Sequence, residues 1–316
     1  MSLDKMIEKI AALQNPTVAG LDPKLDYIPQ YLREEAYARH GRTLEGAAAA
    51  ILAYNKGLID ALCGIVPAVK PQAAYYEMYG WQGVRTLYET IRYAHEKGMY
   101  VILDGKRNDI GATMESYAAA WLGLTAVENE LAEPFGADSL TVNGYLGSDG
   151  INPLLKVCGE QGRGIFVLVK TSNPSSGELQ DQKLENGETI YRPMGRFCEN
   201  WGKSLPGKYG YSGVGAVVGA TYPAQLGELR AAMPSTFFLV PGYGAQGGGA
   251  KDVAPGFDKN GLGAIVNASR SILCAWKKTN AAPEDYAKAA AAEAVRMRDD
   301  IMSEVGEIRL PVGGAL

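Results

Sequence analysis

Residues 99–113, MYVILDGKRNDIGAT, change character twice within a short distance. The apolar run MYVILD (99–104) has the length of a buried strand, and the polar segment DGKRNDIGAT (104–113) follows it directly. A stretch with helical period, TMESYAAAWLGL (113–124), comes next. Apolar runs without polar alternation are typical of parallel strands that are covered on both faces. This part of the chain therefore predicts one strand–loop–helix unit of an α/β protein.

The same unit recurs along the whole chain, which has eight such apolar runs. They are TVAGL (17–21), VPAVK (66–70), MYVILD (99–104), DSLTV (138–142), GIFVLV (164–169), GAVVG (215–219), TFFLV (236–240) and GAIVN (263–267). Helical patterns separate them at 44–62, 84–98, 113–124, 152–162 and 223–234, with others at 1–16 and 283–305. Eight alternating units predict a (β/α)8 TIM barrel, one domain over residues 1–316. The alternative is a doubly wound open sheet, but no GxGxxG follows the first run.

Two stretches between these elements are longer than ordinary connections. Residues 22–43 follow the first run, and residues 171–213 follow the fifth. Loops of this length in a compact domain are usually functional or mobile. The sequence leaves open whether they act as lids, as assembly contacts or as both.

Composition narrows the class of protein. Of 316 residues, 47% are hydrophobic and 21% charged, a globular mixture that argues against disorder or a coiled coil. The net charge of −4 without a basic block argues against a nucleic-acid partner. Four scattered cysteines, no signal-peptide-like start and no long apolar run predict a cytoplasmic chain without a membrane segment. Only two histidines are present, which argues against histidine-based triads and multi-histidine metal sites.

Polar residues gather where the predicted strands end, and a barrel of this kind carries its active site at those ends. In chain order they are Asp22, Lys70, Asp104, Lys106, Asp109, Asn143, Lys170, Thr171, Ser172, Pro241 to Gln246, Ser269 and Arg270. We expect these side chains to converge on one mouth of the barrel.

The densest group lies in DGKRNDIGAT. Asp104 and Lys106 are two apart, so in an extended chain they leave the same face about 6.6 Å apart. Asp109 follows, and Lys70 ends the neighbouring strand. An ammonium held between carboxylates stays charged and acts as a proton donor rather than as a Schiff-base nucleophile. The competing interpretation is a solvated surface cluster of salt bridges.

Two further segments suggest ligand contacts. In VPGYGAQGG (240–248) the glycines free backbone N–H groups for an oxyanion, and Gln246 and Arg270 lie at the loops after strands 7 and 8, the usual phosphate site of such barrels. In VLVKTSNPSSGELQD (167–181) Ser172 could hydrogen-bond a polar heterocycle. Each segment taken alone is also compatible with an ordinary turn.

Together these motifs resemble the orotidine 5′-phosphate decarboxylase family. DGKRNDIGAT is similar to its DxKxxDI signature, and KTSNPSSGELQD is similar to a segment of its longer bacterial subfamily. The resemblance implies a homodimer of (β/α)8 barrels that converts orotidine 5′-phosphate to uridine 5′-phosphate and carbon dioxide, the last step of de novo UMP synthesis. It implies that no cofactor and no metal take part.

The resemblance also implies a role for each residue. Asp22 and Lys70 would bind the ribose, Asp104 would face the scissile carboxylate, and Lys106 would protonate C6 of the pyrimidine. Asp109 and Thr113 would reach into the partner's site, which makes the active sites composite. Ser172 and Gln246 would contact the pyrimidine, and Gln246 with Arg270 would hold the phosphate. The predicted substrate-binding set is completed by Asn143, Pro241 and Ser269.

Two other functions remain open at this point. One is a metal-dependent sugar-phosphate decarboxylase or aldolase on the same barrel, which would use the carboxylates to hold magnesium. The two lysines among the aspartates and the KTSNP segment argue against it. The other is a catalytically silent ligand-binding barrel, which the intact set of lysines and aspartates disfavours.

Overall fold

Eight parallel strands close into a barrel in the computed structural model, which describes residues 2–244 and 247–311. The barrel strands are β1 Thr17–Leu21, β2 Ala68–Pro71, β3 Tyr100–Arg107, β6 Ser139–Val142, β7 Gly164–Lys170, β8 Val214–Val218, β9 Phe238–Val240 and β10 Ala264–Ala268. They pair in chain order, and β10 closes on β1. The predicted single-domain TIM barrel is confirmed, and each of the eight predicted runs contains or overlaps a barrel strand.

Helices alternate with the strands as the sequence predicts. They are α1 Ser2–Leu13, α2 Gln30–His40, α3 Leu44–Leu62, α4 Ala74–Glu77, α5 Gly80–Glu96, α6 Gly111–Leu122, α7 Ser148–Gln161, α8 Tyr191–Gly202, α9 Pro223–Ala232, α10 Ala250–Val253, α11 Arg270–Leu273, α12 Ala275–Lys278 and α13 Tyr286–Val305. The predicted bounds of α3 agree with the structure. The helix begins at Leu44 because the side chain of Thr43 caps it, accepting a hydrogen bond from the backbone N–H of Gly46. No helix in the described ranges is long and apolar enough to cross a membrane.

The apolar residues form two cores, one between the barrel and its outer helices and one inside the barrel. Helix α1 belongs to the inner core: Leu3, Met6, Ile7 and Ile10 are fully buried with barrel residues such as Phe166. Leu3 lies beside Gly164, the first residue of β7, so α1 covers the N-terminal end of the barrel. The opposite, C-terminal end is left for the cavity described below.

The two long stretches are not structureless loops. Residues 22–43 contain helix α2, and residues 171–213 contain a 3-10 turn at Pro174–Glu178 and helix α8. Helix α8 was not predicted, although the four residues it buries, Tyr191, Gly195, Cys198 and Gly202, recur at the spacing of one helical face. Three of them are small, so the apolar signal in the sequence is weak.

A small antiparallel hairpin, β4 Thr125–Val127 with β5 Glu130–Ala132, lies outside the barrel and was not predicted. All six of its strand residues are exposed, so they lack the alternation that marks a half-buried strand.

Candidate active site

A cavity of about 770 Å³ opens at the C-terminal end of the barrel. This volume lies within the range of small-molecule sites. Of the predicted residues, Asp22, Lys70, Asp104, Lys106, Ser172, Pro241, Ser269 and Arg270 line the cavity. Residues from all eight barrel strands or from the loops that follow them line the cavity, as expected for this architecture.

Asp104 is the centre of a buried charge network. The Nζ atoms of Lys70 and Lys106 lie 2.6 Å from its Oδ2 and Oδ1 atoms, respectively. Lys70 and Asp104 are buried, whereas the Lys106 side chain is 46% exposed and faces the cavity. One carboxylate therefore orients two ammonium groups, of which only Lys106 is accessible to a ligand over much of its surface.

The two buried members hold their charges firmly. Burial disfavours the charged form of Lys70, but Asp104 and Asp22 outweigh it and raise the pKa of Lys70 above its ordinary value. Burial also opposes ionisation of Asp104, yet Lys70 and Lys106 lower the pKa of Asp104 well below its usual range. The centre of the network is therefore one carboxylate between two ammonium groups, whereas the sequence predicted an ammonium held between carboxylates.

Thr141 of β6 fixes the geometry of this network. Its hydroxyl donates to Asp104 Oδ1 at 2.8 Å and accepts from the backbone N–H of Lys106 at 3.0 Å. Lys106 has φ +47°, in the left-handed region that non-glycine residues rarely adopt, and the strand pairing is irregular between Leu103 and Arg107. Such strain persists only where neighbouring contacts hold it, and it tends to cluster at functional sites.

Asp22 lies at the end of β1 with a buried carboxylate oxygen, Oδ1, that has no hydrogen-bond partner among the described residues. A buried acceptor without a partner is costly, and a ligand hydroxyl would satisfy it. The ribose contact expected of Asp22 stays a prediction.

Ser172 is held against the loop that follows β8. A Cβ atom at position 219 would lie 2.8 Å from Ser172 Cα, so only glycine permits this approach. The Thr221 hydroxyl also donates to the Ser172 carbonyl at 3.3 Å. The backbone at Ser172 is therefore fixed next to the cavity.

The predicted phosphate side of the cavity is formed by Pro241, Gly242, Ser269 and Arg270. Arg270 is exposed at the first position of α11. Gly20 is needed here, because a Cβ atom at that position would lie 1.9 Å from Ser269 Oγ. Gln246, the other predicted phosphate and pyrimidine contact, lies outside the described residues.

Three residues of the predicted catalytic and substrate-binding sets do not line this cavity, and neither does Lys170, which the sequence also placed at the mouth of the barrel. Asp109 is half-buried and accepts a hydrogen bond from the backbone N–H of Ile110. Thr113 is exposed on α6. Asn143 is exposed and accepts from the backbone N–H of Tyr145, so the structure does not bring it to the cavity as a substrate-binding residue of this chain.

Sequence reasoning missed other cavity residues. They are Lys24, Tyr27, Gln72, Tyr75, Thr141, Leu168, Asn173, Gln180, Val217, Leu239, Asn267 and Ala268. Leu168, Val217 and Leu239 belong to strands and could have been found from the two-residue period, which alternates their faces. Gln180 could not, because it reaches the cavity through the fold of a loop. Within the described ranges, no three side chains of His, Cys, Asp and Glu gather as a candidate metal site.

Comparison with known proteins gives one answer. The model of the "Orotidine 5'-phosphate decarboxylase / HUMPS family" matches residues 53–284. The chain belongs to this family. A relative from Rhodopirellula baltica named orotidine 5′-phosphate decarboxylase is 48% identical over 83% of this chain and 84% of its own length. Another so named, from Caldicellulosiruptor saccharolyticus, is 37% identical over 96% and 98%, respectively.

Solved structures show the same architecture. The Leishmania donovani OMP decarboxylase structure has a TM-score of 0.68 and 29% identity, covering 94% of this chain and 98% of that one. The resemblance drawn from the motifs and the predicted enzyme class, a carboxy-lyase, are thereby confirmed.

Proposed function

We propose that this enzyme converts orotidine 5′-phosphate to uridine 5′-phosphate and carbon dioxide, the last step of de novo UMP synthesis. The observation that carries the proposal is the Lys70–Asp104–Lys106 network, in which an exposed ammonium and a buried carboxylate both face the cavity. Relatives of the enzyme carry the name of this activity.

The reaction needs a stabilised carbanion. The bond between C6 and the carboxylate breaks, carbon dioxide leaves, and the electron pair stays on C6 until a proton arrives. Lys106 Nζ supplies both the positive charge near C6 and the proton, leaving a neutral amine that solvent reprotonates. An ammonium at this position interacts more strongly with the developing carbanion than with the ground state, which is the requirement for catalysis.

The other residues bind and orient the substrate. Asp104 lies beside the scissile carboxylate, and Lys70 compensates the negative charge of Asp104. Asp22 and Lys70 hold the ribose hydroxyls, Ser172 contacts the pyrimidine, and Arg270 contacts the phosphate. Binding energy from the remote phosphate can offset the unfavourable approach of the two carboxylates.

A direct assay tests the activity. Orotidine 5′-phosphate is mixed with the purified enzyme, and its loss is followed by absorbance, with formation of uridine 5′-phosphate confirmed by chromatography. We expect turnover that survives exhaustive EDTA treatment. Loss of activity with EDTA that magnesium restores would favour the metal-dependent alternative, and no turnover at all would favour a silent binding barrel.

We also propose that two copies share their active sites. Asp109 and Thr113 do not line their own chain's cavity, although they follow the strand that carries Lys106. The same end of the barrel exposes Ile110 (51%), Tyr145 (75%) and Leu146 (46%), large apolar side chains that a partner could cover. The carboxylate of Asp109 would then reach the partner's cavity.

Subunit mixing tests this proposal. Lys106→Ala and Asp109→Ala are each expected to be inactive, but a mixed dimer has one site with both changes and one with neither. Random exchange makes about half the dimers mixed, so about a quarter of wild-type activity should return. If mass measurements confirm exchange and no activity returns, the sites are not composite.

A further inference from the structure

A second lysine, Lys170, is fully buried at the end of β7. Its Nζ atom lies 2.8 and 2.9 Å from the two carboxylate oxygens of Asp181 and 3.1 Å from Ser176 Oγ. It also lies 4.4 Å from the ring centroid of Tyr222, in the loop after β8. A buried ammonium is costly unless it is paired in this way. Lys170 does not line the cavity, so the proposed chemistry does not use it.

The two side chains that accept hydrogen bonds from Lys170 lie in one segment, residues 171–181, here called the base segment. Ser176 lies in its middle and Asp181 at its end, while Lys170 directly precedes it. The ion pair therefore closes the segment into a loop whose two ends are joined. Tyr222 adds a contact to the neighbouring strand's loop.

The closed loop is what brings its polar side chains to the cavity. Gln180, next to Asp181, accepts from the backbone N–H of Thr171 at 2.9 Å and donates to the Thr171 hydroxyl at 2.8 Å. Thr171, Ser172, Asn173 and Gln180 all line the cavity. If Asp181 were released, the contact between Gln180 and Thr171 would lose its support.

We propose that the Lys170–Asp181 pair is a positioning device for recognition of the pyrimidine. It acts through the base segment and does not touch the substrate. This inference rests on the proposed function, in which Ser172 contacts the base. Small displacements of positioning groups can cost as much as about 100-fold in rate, so the pair should affect ligand discrimination strongly.

The test compares two ligands by calorimetry: uridine 5′-phosphate, which carries the base, and ribose 5-phosphate, which lacks it. In Lys170→Met we expect the Kd for uridine 5′-phosphate to rise roughly 10–100-fold, with the Kd for ribose 5-phosphate within about twofold of wild type. The kcat/KM for orotidine 5′-phosphate should fall in parallel. Lys208→Met is the matched control, because Lys208 pairs with Glu8 on the surface at 3.1 Å.

Lys170→Met leaves Asp181 without its cation and could unfold. Lys170→Met/Asp181→Leu removes both charges and keeps an apolar contact, a replacement that buried ion pairs often tolerate. Equal loss of affinity for both ligands, no loss for either, or failure of both variants to fold would overturn the inference, because each assigns the pair to general stability or to no role. A wild-type enzyme that binds neither ligand would instead contradict the proposed function, and the inference with it.

Discussion

Two buried aspartates at opposite ends of the barrel organise similar clusters of charge. Asp104, at the C-terminal end of β3, holds Lys70 and Lys106 and accepts from Thr141. Asp138, directly before β6 at the N-terminal end, contacts His95 Nε2 at 2.9 Å and Arg163 at 3.4 Å. It also accepts from the backbone N–H of Val101 at 2.9 Å.

The difference lies in what each cluster faces. His95 lies in the last turn of α5, Val101 lies in β3 and Arg163 precedes β7, so Asp138 joins three elements of the fold. Asp104 presents one of its partners, the half-exposed Lys106, to a cavity. In this architecture the C-terminal end of the barrel carries chemistry and the N-terminal end carries stability. The same residue type therefore serves either role, and changes at each end should separate activity from folding.

Lys106→Ala should produce the largest effect. Loss of the ammonium removes both the proton donor and the charge near C6, so we expect kcat for orotidine 5′-phosphate to fall at least about 10⁴-fold. Because the side chain is half-exposed, the melting temperature should change little. Lys97→Ala is the control. Lys97 does not line the cavity, and its Nζ atom pairs with Asp60 at a distance of 2.6 Å. Near-normal turnover in Lys106→Ala would remove this lysine from the chemistry.

The contrast between the ends also shows what sequence could predict. A search for polar residues at the ends of the predicted strands identified Lys70, Asp104 and Lys106. It succeeded because a residue that follows a buried strand has a fixed place in a barrel. The same reasoning gave no role to Thr141, whose importance comes from a contact across two strands. It also gave no role to His95, whose ring is half-buried against Asp138. Pairings between distant elements are set by packing and leave no local pattern.

Asp138→Ala should have the opposite outcome to Lys106→Ala. The change leaves the Val101 N–H without its acceptor and Arg163 without one of its carboxylates, which should lower the free energy of unfolding by about 2–4 kcal/mol. Thermal unfolding should then show a lower melting temperature, while kcat stays within about twofold of wild type at a temperature where the variant is folded. Glu35→Ala, which removes an exposed ion pair with Arg39, should cost less than about 1 kcal/mol. A large loss of kcat in folded Asp138→Ala would break the comparison.

Arg270→Ala tests the remote part of the cavity. A charge-assisted contact is worth about 1.5–3 kcal/mol, so kcat/KM should fall roughly 10–150-fold, mainly through a higher KM. Steady-state kinetics measures this, with Arg309→Ala as a control because Arg309 forms an exposed ion pair with its neighbour Glu307. An unchanged kcat/KM would place the phosphate elsewhere.

The smallest predicted effect concerns the strain at Lys106. Its φ of +47° disfavours any residue with a Cβ atom, whereas glycine adopts this conformation freely. Lys106→Gly and Lys106→Ala both lack the ammonium and should be inactive, but the glycine variant should be more stable than the alanine variant by about 0.5–1 kcal/mol. The reference is Ala292→Gly on the exposed face in the interior of α13, where the same exchange should lower stability by about 1 kcal/mol. Urea unfolding of the three variants and wild type gives both differences. Opposite signs at the two positions would show that the mouth of the barrel stores backbone strain to place its proton donor, and equal signs would mean that Lys106 is held without such strain.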